Sequence, residues 1–230
     1  MIRILGKKKV AKRIFFGLAV VIIPSFIVWG VGTEIRGMNE NLAVKVNRQG
    51  ISKNVYYQQL DTFLAQYRNF LGQEPPENSP EMGNIKKEIL DGLVRQAILF
   101  QEARRRHIRV TDQEILAAIK NDPSFRNETG VFDENRFQQI VARIPETQWL
   151  EIEGNLRKSL TLQKLRNLVV SETQINVTGQ DLTDFRKAQK VSEKTNDDAL
   201  RQLVFSQKAS AAFETWYQKT RAKVKVKTYI

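Results

Sequence analysis

The sequence has no cysteine, a single histidine, and few glycine or proline residues, 12 and 6 respectively. Without cysteine, the chain forms no disulfide and offers neither a thiolate nucleophile nor a cysteine-ligated zinc site. His107 directly follows three arginines, a position typical of a helix-terminal cation and not of a catalytic base. A Gly-rich phosphate loop and an H-E-x-x-H motif are also missing. We therefore expect no catalytic, cofactor or metal site, and the scarcity of glycine and proline favours helices over a β-sandwich or barrel.

The positive charge is concentrated at the start of the chain. The formal net charge of +12 invites a nucleic-acid-binding interpretation. The first thirteen residues, however, supply half of this charge, with six basic side chains and no acidic one: Arg3, Lys7, Lys8, Lys9, Lys12 and Arg13. Over the remaining chain, acidic side chains are interspersed with basic ones, as on an ordinary solvated surface. We therefore expect no nucleic-acid partner.

One long stretch, residues 14–33 (IFFGLAVVIIPSFIVWGVGT), carries no charged side chain. About 20 mainly apolar residues suffice to cross a bilayer core as a helix. Pro24 lies within the run, and proline is tolerated better in a membrane helix than in a soluble one. The run predicts a transmembrane anchor, and its anchoring side chains are expected to be Phe15, Phe16, Pro24, Phe26 and Trp29.

The charges around this run predict its orientation. Six basic residues precede it, whereas only Glu34 and Arg36 follow closely, so the positive-inside rule predicts a cytoplasmic N-terminus and a main domain on the far side of the membrane. A cleaved signal peptide is the main alternative, but the run is longer than a usual signal core and no A-x-A-like site follows it. A buried soluble helix is less favoured because the run has no polar face. We expect a basic tail at 1–13, a signal anchor at 14–33, a linker at 34–41 and a domain at 42–230.

Helical periodicity and capping residues predict a mostly helical domain. A loop rich in proline and glycine is expected at 72–84. The predicted helices run from Ser52 to about Leu71, over 85–107, from the Thr111–Glu114 capping box to about Lys120, briefly after Asp133, from about Thr147 to about Leu168, from Thr178 to about Lys190, and over 197–221.

Two short segments at opposite ends of the domain alternate as strands do. They are 42–47 (LAVKVN) and 223–230 (KVKVKTYI), and a single such strand is not stable alone. We expect them to pair. The predicted fold class is therefore mainly α: an N-terminal transmembrane helix and a helical domain closed by a small two-stranded pairing, with 197–230 packing back on 42–170.

The order of motifs resembles the SurA/PpiD-type periplasmic folding factors, the SurA N-terminal domain family. The block KKKVAKRIFFGLAVVIIPSFIVWGVG is similar to the anchor of membrane-bound members, and AVKVNRQGISKNVYYQQL to the start of their N-domain. LVRQAILFQEARRRHIRVTDQEI, FRNETGVFDENRFQQIVA and AFETWYQKTRAKVKVKTYI resemble successive later segments. The resemblance covers nearly the whole chain. It implies a SurA-like helical chaperone domain.

Family members usually carry one or two parvulin-type prolyl isomerase domains before the last helix. Here the segment 178–197 is far too short for such a domain, and no histidine follows His107. The resemblance therefore implies an inner-membrane-anchored, periplasmic chaperone-like protein that binds unfolded or newly translocated polypeptides without isomerase activity. The alternative is a structural or assembly subunit that docks one specific partner, for instance at a translocon or a secretion complex.

Aromatic side chains are the best candidates for peptide binding or for closing the module, because they bury large apolar areas. A single sequence does not separate those that face the core from those that face a groove. The candidates are Tyr56, Tyr57, Phe63, Tyr67, Phe70, Trp149, Phe213, Trp216 and Tyr217.

Overall fold

The computed structural model describes residues 41–189 and 196–230. Its elements are β1 (Leu42–Val46), β2 (Gln49–Ser52), α1 (Lys53–Leu71), α2 (Pro80–Arg105), α3 (Asp112–Asn121), a 3-10 helix (Pro123–Phe125), α4 (Glu134–Val141), α5 (Glu146–Glu172), α6 (Gly179–Gln189), α7 (Asp197–Arg221) and β3 (Val226–Thr228). They form two compact units, which we call the sheet unit, residues 41–94 with Lys225–Ile230, and the helical unit, the described residues of Arg95–Val224.

The predicted basic tail and membrane anchor, with Phe15, Phe16, Pro24, Phe26 and Trp29, lie outside the described residues. None of the helices that the structure describes is long and apolar enough to cross a membrane.

The sheet unit is built on an antiparallel sheet with strand order β2-β1-β3. In the pairing of β1 with β3, Val44 lies opposite Thr228 and Val46 opposite Val226, so the expected meeting of the two chain ends is confirmed. The sheet has three strands, however, and not the expected two. The chain reverses tightly at Asn47, which adopts a positive φ of 55°, a conformation that asparagine tolerates. Residues 49–52 can therefore pair with β1 as β2.

Helices α1 and α2 cover the buried side of this sheet. Val44 and Val46 are fully buried, and Ala43, Tyr56, Leu60, Ile85 and Leu93 form one buried cluster with partly buried side chains packed around it. The Ser52 hydroxyl accepts a hydrogen bond from the Val55 N–H at 3.3 Å and caps α1, as predicted. Gly72 ends the helix in the left-handed conformation, φ 82°, which glycine adopts without steric cost.

Helix α2 begins five residues earlier than the sequence predicts. Residues 80–84 were assigned to a loop because of nearby prolines, but Pro80 occupies the first position of the helix, where its missing N–H costs nothing. The Ser79 hydroxyl accepts a hydrogen bond from the Met82 N–H at 3.1 Å, and Met82 is buried. The proline that suggested a loop therefore starts the helix.

The helical unit contains the rest of α2 and α3 to α7. The predicted capping box is confirmed, with the Thr111 hydroxyl and the Glu114 side chain each accepting from the other's backbone N–H. Lys164 on α5 donates to the Glu114 carboxylate at 2.6 Å and so ties α5 to α3. The α7 bounds match the prediction. Helix α5 extends to Glu172, one turn further than expected.

Candidate functional site

A groove in the sheet unit lies between the start of α1 and the middle of α2. It has a volume of about 340 Å³ and is lined by Tyr56, Tyr57, Lys86, Lys87, Leu90 and Ile230. Its lining combines aromatic and aliphatic side chains with two lysines. The groove is large enough for one or two side chains of a ligand and too shallow to enclose a chain.

The two adjacent tyrosines of the groove differ sharply in exposure. The Ser52 cap fixes the first turn of α1, so that Tyr56 points into the core, at 4% exposure, while Tyr57 stays 50% exposed. Their rings meet edge to face, with centroids 5.2 Å apart. The Tyr56 hydroxyl lies 3.5 Å from the Lys86 carbonyl oxygen, and burial raises the pKa of Tyr56, with a smaller contribution from Tyr57. Tyr56 therefore supports the groove, and Tyr57 is available to a ligand.

The rest of α1 carries three other candidate aromatics, and these also divide into packed and exposed side chains. Phe63 and Tyr67 pack against the buried cluster, and the Tyr67 hydroxyl donates to the Glu81 carboxylate, which raises the pKa of Tyr67. Phe70, in contrast, is 88% exposed, and the neighbouring Leu71 is also exposed. Exposing an apolar side chain of this size to water is unfavourable. Phe70 is therefore a second candidate contact for a ligand.

In the helical unit, the aromatics of α7 hold helices together. Tyr217 is buried, and the Arg95 guanidinium lies 4.1 Å from its ring centroid. Arg95 also donates two hydrogen bonds to the Glu214 carboxylate, at 2.7 and 3.3 Å, which lowers the pKa of Glu214. Phe213 and Trp216 stack on each other with centroids 5.3 Å apart. Of these three candidate aromatics, Tyr217 is buried and Phe213 and Trp216 are half-buried.

A further aromatic cluster lies around α4. Phe137 contacts Phe125, Phe132 and Trp149 at centroid distances of 5.3, 5.7 and 6.1 Å. All four rings are half-buried, and Val131, Leu150 and Ile152 nearby in the sequence are exposed. Only Trp149 of this cluster is among the candidates predicted from the sequence. The sequence feature that indicates the cluster is the presence of three phenylalanines within thirteen residues, 125–137.

The polar groups of the described residues serve structure. No group of three or more acidic or histidine side chains among them could hold a metal ion. The hydrogen bond from Lys164, together with those within the capping box, lowers the pKa of Glu114 from 4.5 to about 2. The Asp181 carboxylate, in the first turn of α6, accepts hydrogen bonds from the Thr178 N–H and hydroxyl, and Lys208 and Thr178 lower its pKa. Each carboxylate thus fixes a helix start.

Comparison with known proteins gives consistent results at three levels. A family model described as the SurA-like N-terminal domain matches residues 1–166. The periplasmic chaperone PpiD of Escherichia coli K12 is 31% identical over 158 residues, which are 67% of this chain and 25% of that protein. The protein of the same name from Haemophilus influenzae is 30% identical over 176 residues, 73% of this chain and 26% of that protein. The chain thus spans about a quarter of the length of these curated relatives.

Among solved structures, a similar chain comes from work on the virulence factor PEB4 and the periplasmic protein Cj1289, described as SurA-like chaperones of Campylobacter jejuni. The TM-score is 0.59 at 11% identity, over 82% of this chain and 98% of that chain. This likeness concerns the fold. Together with the family match over most of its length, it shows that the chain belongs to the SurA-like N-terminal domain family.

Proposed function

We propose that this protein is a membrane-anchored periplasmic chaperone that holds unfolded or newly translocated polypeptides and has no prolyl isomerase activity. The similarity to proteins named periplasmic chaperone supports the class of function. The basic tail and uncharged run at residues 1–33 support the location. The alternative, an assembly subunit with one specific partner, is tested by the same experiment.

The observation that carries the proposal is the exposure of apolar side chains along one helix. Tyr57 and Phe70 lie at the two ends of α1, half and almost fully exposed, while Phe63 and Tyr67 between them pack against the buried cluster. Two separate contacts of this kind bind short apolar stretches of a flexible polypeptide. The residues of the polypeptide between those stretches need no particular sequence. Burying about 100 Å² of each aromatic ring contributes about 2–3 kcal/mol, partly offset by the ordering of the client. Binding is therefore weak and broad.

In-cell crosslinking tests the proposal. A photoreactive residue replaces Tyr57 or Phe70, and a matched control replaces Asp61, an exposed polar residue of the same helix. We expect many different unfolded periplasmic and outer-membrane polypeptides to be captured from the two aromatic positions, and few from position 61. Capture of one and the same folded partner from both aromatic positions would instead support the assembly subunit.

A further inference from the structure

The face of the sheet opposite the buried valines is basic. Lys45 on β1 lies directly opposite Lys227 on β3, and Lys225 stands two residues before Lys227 on the same face. Lys225 and Lys227 are exposed and Lys45 is partly exposed. The Lys227 ammonium lies 5.2 Å from the Tyr229 ring centroid. We call these three residues, Lys45, Lys225 and Lys227, the lysine face.

Placing like charges opposite each other in an antiparallel pair destabilises the sheet unless something compensates. Elsewhere in the described chain, exposed cations are often neutralised, as in the pairs Lys86–Glu77 and Lys164–Glu114. No acidic side chain of residues 41–189 or 196–230 forms an ion pair with the lysine face. The uncompensated charge is therefore suited to an external anion.

Lys45 of the lysine face lies close in the sequence to the proposed membrane anchor, and this position favours one kind of anion. The uncharged run ends at residue 33 and β1 begins at Leu42, which leaves residues 34–41 as the connection. Eight residues span at most about 29 Å when fully extended. If the run crosses the membrane, as the proposed function requires, β1 is the first element of the domain after the membrane, and its first residue lies within about 29 Å of the end of the run. A negatively charged bilayer surface attracts nearby lysines over about one Debye length, ~8 Å at physiological salt.

We propose that the lysine face docks the sheet unit on the anionic phosphate headgroups of the membrane in which the chain is anchored. This inference rests on the proposed membrane anchoring. Docking orients the domain, because only one of the two faces of the sheet carries the lysines. The groove at Tyr57 and the exposed Phe70 belong to the same unit and take a fixed orientation to the bilayer when the lysine face is docked.

The test uses the full chain in lipid nanodiscs of phosphatidylcholine, with or without one third phosphatidylglycerol. A water-soluble acylating reagent labels the lysines, and mass spectrometry measures the rate at each. We expect Lys45, Lys225 and Lys227 to react at least about fivefold more slowly in the anionic discs, and Lys187 on α6 to react equally in both. The protection should vanish in 1 M salt, where the Debye length is about 3 Å.

A pair of variants isolates the lysine face from net charge. Lys225→Gln with Lys227→Gln should bring the acylation rate of Lys45 in anionic discs up to its rate in neutral discs, because each lysine near the surface contributes about fivefold to docking. Lys120→Gln with Lys187→Gln removes the same charge from the helical unit and should leave the protection of Lys45 unchanged. Equal reaction rates of the lysine face in both kinds of disc would overturn the proposal. Protection that appears only when a polyglutamate peptide is added to neutral discs would also overturn the proposal, because the lysine face would then bind acidic polypeptide.

The same discs separate this inference from the proposed function. Suppression of aggregation of an unfolded outer-membrane protein is measured in parallel. If the chain suppresses aggregation but its lysine face is not protected from acylation in anionic discs, only the docking proposal is overturned. Protection without suppression of aggregation supports docking and counts against the chaperone activity. A chain that does not remain with the discs overturns the anchor and the docking, and suppression of aggregation then still decides whether the chain is a chaperone.

Discussion

Asn47 and Lys225, 178 positions apart in the chain, hold the ends of the domain together through two hydrogen bonds. The Asn47 N–H donates to the Lys225 carbonyl oxygen at 2.7 Å, and the Lys225 N–H donates to the Asn47 side-chain oxygen at 3.1 Å. Further along the same pairing, the Tyr229 N–H donates to the Ala43 carbonyl oxygen at 2.9 Å. The sheet unit is therefore incomplete until residues 225–230 are made.

Deleting Lys225–Ile230 should destabilise the sheet unit. The deletion breaks the pairing with β1 and uncovers the fully buried Val44 and Val46. At about 1 kcal/mol for each lost hydrogen bond, plus the exposed apolar area, we expect a loss of about 3–5 kcal/mol. This corresponds to a melting temperature lower by about 6–20 °C.

The matched control for this deletion is Lys227→Gln, which keeps the backbone pairing and should change stability by less than about 0.5 kcal/mol. Thermal unfolding followed by circular dichroism measures both variants. An unchanged melting temperature after the deletion would show that β3 is a detachable tail and that the domain is closed without it.

The sequence predicts most of the helices because their starts depend on a few adjacent residues. Ser52 and Thr111 cap helices where the sequence places them, since each cap needs only a side-chain oxygen and an N–H two or three residues later. β2 was missed because a strand at residues 49–52 depends on the unusual backbone of Asn47. The early start of α2 was missed because Pro80 has opposite meanings inside a loop and at the first position of a helix.

Helical spacing separates the adjacent tyrosines of α1. Tyr56 lies on the apolar side of the helix with Leu60 and Phe63, and Tyr57 does not. The cluster around Phe137 was missed because its rings come from several elements: the 3-10 helix, the segment before α4, α4 itself and the start of α5. A periodic pattern within one helix does not predict contacts between elements.

Acid should weaken the link between α3 and α5. The pKa of Glu114 falls from 4.5 to about 2 in the folded protein, chiefly through the hydrogen bond from Lys164. A lowered carboxyl pKa contributes stability above pH 4.5, and this contribution is lost progressively as the pH falls from about 5 to about 2. Glu114→Gln should therefore be less stable than the parent at pH 7, and the difference should shrink at pH 3.5.

Urea unfolding at pH 7, 5 and 3.5 measures this difference. Glu128→Gln is the control, because Glu128 is exposed and belongs to none of the ion pairs formed among the described residues. It should follow the parent at each pH. A gap between Glu114→Gln and the parent that stays constant from pH 7 to 3.5 would contradict the assignment of the charge effect to Glu114.

The purified chain should not accelerate the isomerisation of X–Pro bonds. The uncatalysed reaction takes tens to hundreds of seconds at 25 °C, so even a modest acceleration is visible in a protease-coupled peptide assay. Added parvulin serves as the positive control in the same buffer. A rate enhancement proportional to the amount of chain would contradict the proposed absence of isomerase activity.

The proposed membrane topology places residue 230 outside the cytoplasm. Six basic residues before the uncharged run and a near-neutral segment after it predict this orientation. A reporter that fluoresces only in the cytoplasm, fused after Ile230, should be dark, whereas the same reporter fused before Met1 should be bright. Fluorescence from the fusion after Ile230 would reverse the topology, and an N-terminal sequence beginning near residue 39 would indicate a cleaved signal peptide.

The adjacent tyrosines of α1 separate stability from client binding. Tyr56→Ala empties a buried position and should cost about 3–5 kcal/mol, as for other large aromatics in a core. Tyr57→Ala removes a half-exposed ring and should change stability by less than about 0.5 kcal/mol. If the groove binds clients, Tyr57→Ala should nevertheless weaken the binding of an unfolded outer-membrane protein about 5- to 30-fold, because up to about 2 kcal/mol of apolar burial is lost.

Chemical unfolding and a binding titration on the same three preparations, the parent, Tyr56→Ala and Tyr57→Ala, test both halves of this prediction. Gln58→Ala is the control, since Gln58 is exposed on the same helix turn and lacks an apolar ring. Binding by Tyr57→Ala equal to that of the parent, with full stability, would remove the groove from the client-binding surface. Phe70 would then be left as the contact to test, because it is the other aromatic side chain of α1 that projects far into solvent.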